Sequence, residues 1–362
     1  MEIRDYIAAA QAVINEVSET ENIDSAYIGG SIPAGLGNKS SDVDLFLLFD
    51  DDSIEGARVQ QFAVKGIRVD VERYSLKELR AYLDRIESIE ITGSRLVELD
   101  GGLKEPLDWY GRLYAAIEMQ SSFNLSELVT RSRSIELKAR RIYSSYWSLF
   151  SDGYVEDFVG AVDSGNDIGS CIMASQQMVA MAAKSLLAAA GDFYYPPKWV
   201  YKQIDRTFPS HYALADFQSL QTGAWIDLGI PPRQVLLRVQ TLYANAVLEL
   251  FYPGSTSAIL PRDESVSPAF PRIYRVSGAV PFKVDGGKVL LHFELKRQVT
   301  LSFILFLVWT LCDGRTQDEI IESVSRYLAL EDIQVNGSAS DLVRRALLKL
   351  VQSDLVINVD DY

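Results

Sequence analysis

Residues 29–44 read Gly29-Gly30-Ser31-Ile32-Pro33-Ala34-Gly35-Leu36-Gly37-Asn38-Lys39-Ser40-Ser41-Asp42-Val43-Asp44. A short apolar stretch over 25–29 leads in and an apolar run to Phe49 leads out, so the segment reads as strand, Gly/Ser-rich turn, strand. Side chains alternate faces along a strand. Asp42 and Asp44 therefore point the same way, at the strand's start and beside the Gly-Ser turn. Two neighbouring carboxylates repel each other without a cation. A pair of Mg2+ ions relieves that repulsion through hard oxygen ligands. The glycines let backbone N–H groups come close to a phosphate as an anion-binding nest, and the Ser31 hydroxyl adds a donor.

Working outward, 3–18 carry apolar residues at helical spacing. Residues 59–64 and 67–74 flank Lys65-Gly66 and predict a hairpin. Ser75 with Glu78 makes a capping box that opens the next helix. The first hundred residues are thus expected to be α/β. The Gly-Ser…Gly…Ser-Asp-x-Asp pattern resembles the signature of the DNA polymerase β-like nucleotidyltransferase superfamily, over about residues 20–90. The resemblance implies a third carboxylate on a later strand, flanked by β-branched residues. Arg68-Val69-Asp70-Val71-Glu72 supplies it. Asp70 and Glu72 share a face and either can serve; Asp70 is favoured because Val69 and Val71 frame it. The activity so implied is transfer of a nucleotidyl group from a nucleoside triphosphate, with two Mg2+ ions (or Mn2+) on Asp42, Asp44 and Asp70. Gly30, Ser31, Lys39 and Ser41 then face the nucleotide. Glu118, expected on a following helix, is a candidate general base.

Character changes near Pro106. Helical periodicity over 107–119, 125–150, 154–162, 172–190 and 232–252 predicts a helical domain, interrupted by an aromatic- and proline-rich break at 192–197. This domain resembles the helical partner of small-substrate nucleotidyltransferases, including antibiotic-modifying ones. Tyr194-Tyr195-Pro196-Pro197-Lys198-Trp199 resembles a segment of such partners that faces the cleft, which makes Lys198 a further nucleotide-binding residue.

A Pro/Ser-rich linker precedes strand-like stretches at 274–284, 288–294 and 297–301, then helices at 302–312, 317–330 and 339–352 and a last strand at 355–359. Val289-Leu290-Leu291, Val299-Thr300-Leu301-Ser302, Leu311-Cys312-Asp313-Gly314-Arg315-Thr316 and Glu319-Ile320 resemble the PqqD-like family of small winged-helix domains that recognise the leaders of ribosomally made, modified peptides. Ser302 stands where that family usually has Asn. The resemblance implies that a leader adds as a strand beside Val299 and Leu301, against a helix carrying Leu342, Arg345 and Leu348. The expected organisation is a nucleotidyltransferase domain over 1–104, a helical domain over 105–252, a linker over 253–271 and a PqqD-like domain over 272–362.

Composition bounds the partners. The chain has 362 residues, 48% hydrophobic and 23% charged, as a folded protein has. A net charge of −14 with no basic block disfavours nucleic acid. Two cysteines and two histidines are too few for a Cys/His zinc site. No signal peptide is evident, and the most apolar run, 299–312, is too short to span a bilayer, so a cytoplasmic enzyme without a membrane partner is expected. Its partners are then a nucleotide and a precursor peptide; oligomeric state is left open. A small antibiotic-type acceptor, or a non-catalytic scaffold that presents peptide, are the alternatives.

Overall fold

The computed structural model describes residues 2–50, 54, 57–92, 99, 102–165, 167–208, 213–254, 271–293 and 297–358. Most of the linker read over 253–271 falls outside them. The chain separates into two compact units. The first holds the described residues of Met1–Ile89, Glu98–Ile142 and Asp192–Gln203; the second holds those of Glu90–Val97, Tyr143–Gly191 and Ile204–Tyr362.

The first unit opens with α1 (Ile3–Val17), which buries Tyr6, Ala9, Ala10, Val13, Ile14 and Val17. That three-and-four spacing makes one apolar stripe. The stripe packs on a face of the sheet formed by Ala26, Ile28, Val43, Leu45, Leu47, Val69 and Val71. The strands are β1 (Ser25–Gly29), β2 (Val43–Phe49), β3 (Val59–Val64), β4 (Ile67–Ser75) and β5 (Ile117–Gln120), in the order β3-β4-β2-β1-β5. Only the β2–β4 pair is parallel. Lys65 and Gly66 both have positive φ, 48° and 80°, as a two-residue hairpin turn requires. Ser75 accepts the amide of Glu78 and starts α2 (Leu76–Ser88). Then come α3 (Lys104–Tyr114), α4 (Phe123–Ser134) and the start of α5 (Glu136–Asp163).

Two helical readings are corrected here. The pattern over 107–119 stops at Tyr114, because 117–120 instead add a strand to the free edge of β1, where ladder bonds are on offer. Glu118 therefore stands on an edge strand opposite Tyr27, not on a helix. The pattern over 125–150 is broken at Ile135, and 154–162 continue α5 without a stop.

The second unit contains the rest of α5, α6 (Ile168–Ala189), the second half of α7 (Val200–Thr207), α8 (Ala213–Gln221), α9 (Ala224–Asp227) and α10 (Pro232–Phe251). The C-terminal part adds β6 (Ile273–Arg275), β7 (Ala279–Val284), β8 (Lys288–Phe293), β9 (Arg297–Ser302), α11 (Phe303–Leu311), β10 (Asp313–Arg315), α12 (Gln317–Leu330), α13 (Ala339–Gln352) and β11 (Val356–Asn358). They form two three-stranded sheets, β7-β8-β9 and β10-β6-β11. One apolar core joins α11, α12, α13 and these strands to Ala244, Val247 and Leu248 of α10. Buried polar groups tie them further. Gln240 donates to the carbonyls of Val276 and Ala279, and His292 Nδ1 lies 2.7 Å from Asp152 Oδ2. Thr316 and Glu319 cap α12 reciprocally. Cys171 and Cys312 are free and buried. Among the described residues no helix is long and apolar enough to cross a membrane.

Candidate active site

The face of the first sheet opposite α1 carries the acids. Asp44 of β2 is the register partner of Asp70 on parallel β4, so their side chains stand side by side. Asp42 lies two residues before Asp44 and faces the same way. Across the other edge of β2, Gly29 is the partner of Asp44. Gly30 follows with φ +77°, and a Cβ built there would lie 1.8 Å from Asp44 Oδ2. Only glycine allows this approach.

Beyond Gly30 the chain folds into a tight loop. The Ser31 carbonyl accepts the amides of Leu36 and Gly37, both at 2.9 Å, and Gly35 donates to the Ile32 carbonyl at 3.0 Å. Ser31 is buried. Ser41 Oγ accepts the amide of Asn38, so that residue closes the loop's far end just before Asp42. Lys39 projects from it and is exposed.

Two arginines organise the acids. Arg68 donates to Asp42, and its Nε lies 3.5 Å from Asp70 Oδ1. Asp70 Oδ1 is nevertheless buried without a hydrogen-bond partner. Arg112 of α3 pairs with Glu72 at 2.9 Å and with Asp108 at 3.1 Å, and reaches to 3.9 Å from Asp44. Glu72 also accepts the Tyr74 hydroxyl at 2.9 Å. The two acids left open on β4 are therefore unlike: Glu72 is engaged by Arg112 and Tyr74, while Asp70 stays beside Asp42.

The electrostatics follow. Burial pushes the Asp44 carboxyl up to about 6, with Asp42 and Glu72 adding and Arg112 and Lys198 opposing. Burial and the charge of Asp42 also raise Asp70, against Arg68. Burial pushes on Asp42 too, but the hydrogen bond and charge of Arg68 outweigh it and hold Asp42 low.

Further along the same face Tyr27, Phe46 and Tyr74 stack at 4.8 and 6.0 Å. The Arg112 guanidinium covers Phe46 at 5.3 Å. Beside it is a cavity of about 230 Å3 lined by Arg58, Tyr74, Glu105, Asp108, Trp109 and Arg112. The segment Asp192–Gln203 belongs to this unit. Phe193 packs on Tyr110 and Tyr114 at 5.2 and 4.8 Å, and the exposed Lys198 acts on Asp44 through its charge.

Residues 11–96 match a nucleotidyltransferase domain. The match takes in β1 to β4, the Gly-Ser loop and all three aspartates, and supports a transferase at the level of that family. No curated protein is a significant match. A solved nucleotidyltransferase-like protein from Exiguobacterium sibiricum is similar over 71% of this chain and 81% of that one, at 14% identity and a TM-score of 0.36. So remote a likeness carries no argument about activity. The matched residues 11–96 carry the acids and the loop described above.

Does its donor set suit a metal? Asp42, Asp44 and Asp70 offer oxygen alone, which is what a hard divalent cation takes. The buried Asp70 Oδ1 has no hydrogen bond, and the Arg68 guanidinium supplies positive charge between Asp42 and Asp70. The residues fit such an ion. Among the described residues no three Asp, Glu, His or Cys are arranged to enclose one as they stand. Arg68 bridges Asp42 and Asp70 instead, and it is more than half exposed.

In the second unit, among the described residues β9 pairs with β8 alone and is a sheet edge. Leu301 is buried, and Val299 and Leu342 pack on the C-terminal core. Arg345 is exposed on α13, as is Leu348 at 64%. Arg297 at the start of β9 donates to the Ser353 carbonyl just past α13, so strand and helix end lie together.

The sequence reading passed over Arg68, Arg112 and Lys202. Arg68 was findable: it stands two residues before Asp70 and so shares its face. Arg112, and Lys202 whose Nζ donates to the Leu36 carbonyl of the loop, come from far along the chain and leave no local signal.

Proposed function

We propose that this chain is a metal-dependent nucleotidyltransferase acting on a ribosomally made precursor peptide held by its leader. The observation that carries the enzyme reading is the register of Asp44 with Asp70, beside a glycine too close to Asp44 for any side chain. Asp42, Asp44 and Asp70 would hold two divalent ions; Asp70 is preferred to Glu72 because Arg112 and Tyr74 already occupy Glu72. Such ions, when bound, neutralise charge on the transferring phosphoryl group and its leaving group. Gly30 and Ser31 present backbone N–H groups to the β- and γ-phosphates. Ser41 closes the loop, and Lys39 and Lys198 add positive charge from either side. The acceptor hydroxyl oxygen bonds to the α-phosphorus, the bond to pyrophosphate breaks, and pyrophosphate leaves. The hydroxyl proton passes to the carboxylate cluster, where Asp70 Oδ1 is the oxygen without a hydrogen bond.

The peptide part rests on the resemblance of the C-terminal residues to leader-binding domains and on the edge position of β9. A leader strand adds to β9 through main-chain hydrogen bonds, with side chains against Val299, Leu342 and Leu348. Arg345 and Arg344 suit an acidic leader. Holding the leader raises the local concentration of the core peptide at the acids. A small hydroxylated acceptor is the second reading. The cavity bounded by Tyr74, Trp109, Glu105 and Asp108 favours it.

Intact-mass measurement of candidate precursor peptides, and of hydroxylated small molecules, with Mg2+ and each nucleoside triphosphate tests both. A nucleotidyl mass gain on peptide, lost in Asp42→Ala/Asp44→Ala and weakened in Leu348→Glu, supports the first reading. Gain on small molecules alone supports the second. Modification that persists in the double variant would sink the enzyme reading.

A further inference from the structure

Lys202 lies in the segment Asp192–Gln203, about 160 residues beyond Asp42, yet within the same compact unit. Its Nζ donates to the carbonyl of Leu36 at 3.0 Å. Leu36 is the residue whose amide, with that of Gly37, closes the Gly-Ser loop onto the Ser31 carbonyl. The same Nζ sits 4.4 Å above the Trp199 ring, one helical turn back. The ammonium is thus held from two sides, by an aromatic face and by the loop's outward carbonyl.

We infer that Lys202 is a positioning residue: it latches the Gly30–Gly37 loop and so sets the distance between the loop's amides and Asp44. The geometry leaves little freedom there. At Gly30 the loop already touches the Asp44 carboxylate as closely as a glycine can. Since the loop already runs against Asp44 at Gly30, a loop released at Leu36 is free to move outward, which carries its N–H groups away from the acids. Lys202 touches neither acid nor any ligand of the loop. It acts through the Leu36 carbonyl alone. The inference deepens the reading that this loop binds a triphosphate, and rests on it for the binding effect only.

The test compares Lys202→Met and Lys202→Arg with the unaltered full-length chain. Two measurements are made: hydrogen exchange of the amides in 31–37 without ligand, and the dissociation constant of Mg·ATP and Mg·GTP by calorimetry. Lys202→Met should speed exchange at Leu36 and Gly37 and weaken triphosphate binding about tenfold, the scale of one charge-assisted hydrogen bond. Lys202→Arg should restore most of both. Thermal melting should be nearly the same in all three, since Lys202 is an exposed side chain. Unchanged exchange in 31–37 would overturn the latch. Faster exchange with unchanged triphosphate affinity would overturn its positioning role. If the unaltered chain binds neither triphosphate, the reading under Proposed function fails, and the exchange result still decides the latch.

Discussion

Two glycines with nearly the same backbone give a matched pair of substitutions. Gly30 has φ +77° and Gly66 has φ +80°. Alanine at either pays the left-handed penalty of an L residue, roughly 1–2 kcal/mol. At Gly66 the new Cβ meets nothing within 4 Å. At Gly30 it would lie 1.8 Å from Asp44 Oδ2 and 2.6 Å from its Cγ. Ordinary contact begins near 3.4 Å, so loop and carboxylate must part by about 1.6 Å. A displacement of about 1 Å at a reacting centre costs on the order of 100-fold in rate. Gly30→Ala should therefore lower kcat/KM at least about 100-fold, while Gly66→Ala leaves it unchanged. Gly66→Ala should melt only a few degrees lower, and Gly30→Ala lower than that because of the added clash. Scanning calorimetry and steady-state kinetics on the acceptor found by mass measurement make the comparison. Equal activity in the two variants would refute the argument that this loop and Asp44 work as one site.

Other outcomes follow from the same geometry. Asp44 is held near 6, above the 3.8 of an ordinary aspartate, so the folded chain binds its proton more tightly than the unfolded chain between about pH 4 and 6. Stability present at low pH is lost as pH rises through 6. In EDTA at pH 8, Asp44→Asn should melt higher than the parent, by on the order of 3 kcal/mol at most, with the gap closing near pH 4; a gap that widens on acidification would contradict this. Arg68→Ala should lower the Mg2+ concentration giving half of the metal-dependent rise in melting temperature by several-fold, since an exposed ion pair is a weak competitor but a real one. A higher Mg2+ requirement would show that Arg68 assists rather than competes. Glu72→Gln should retain far more activity than Asp70→Asn, measured as initial rates at saturating Mg2+; the reverse order would make Glu72 the third carboxylate.

What the sequence made legible was local. A Gly-Ser turn between two apolar stretches, followed by acids two apart, fixes a strand, a loop and a shared face, because strand alternation needs no tertiary information. The hairpin at Lys65-Gly66 and the Ser75 cap of α2 were readable for the same reason. Where a distant partner decided the outcome, local pattern failed. Residues 117–120 carry a helical pattern but pair with Tyr27 and its neighbours on an open sheet edge, which moved Glu118 off its expected helix. The 107–119 pattern also gave no hint that Arg112 would bridge Asp108, Glu72 and Asp44, since its face is set by how α3 crosses Phe46 and Gly29. Likewise Lys198 was read from an aromatic-proline break, while Lys202, four residues later, carries the contact to the loop.

That return of residues 192–203 to the N-terminal sheet has a consequence for how the protein is made. A ribosome adding about 5–20 residues per second releases the sheet and its three aspartates well before it delivers Lys202. From residue 120, where the last strand of the sheet ends, to residue 202 the delay is roughly 4–16 seconds at that rate. Throughout it the nascent sheet is present but its loop is untethered. Competence to grip a triphosphate arrives only after α5 and α6 have been made, while α8 to α13 are still to come. The chain therefore couples the maturation of its nucleotide site to the synthesis of sequence far downstream, through long-range contacts that are slow to close.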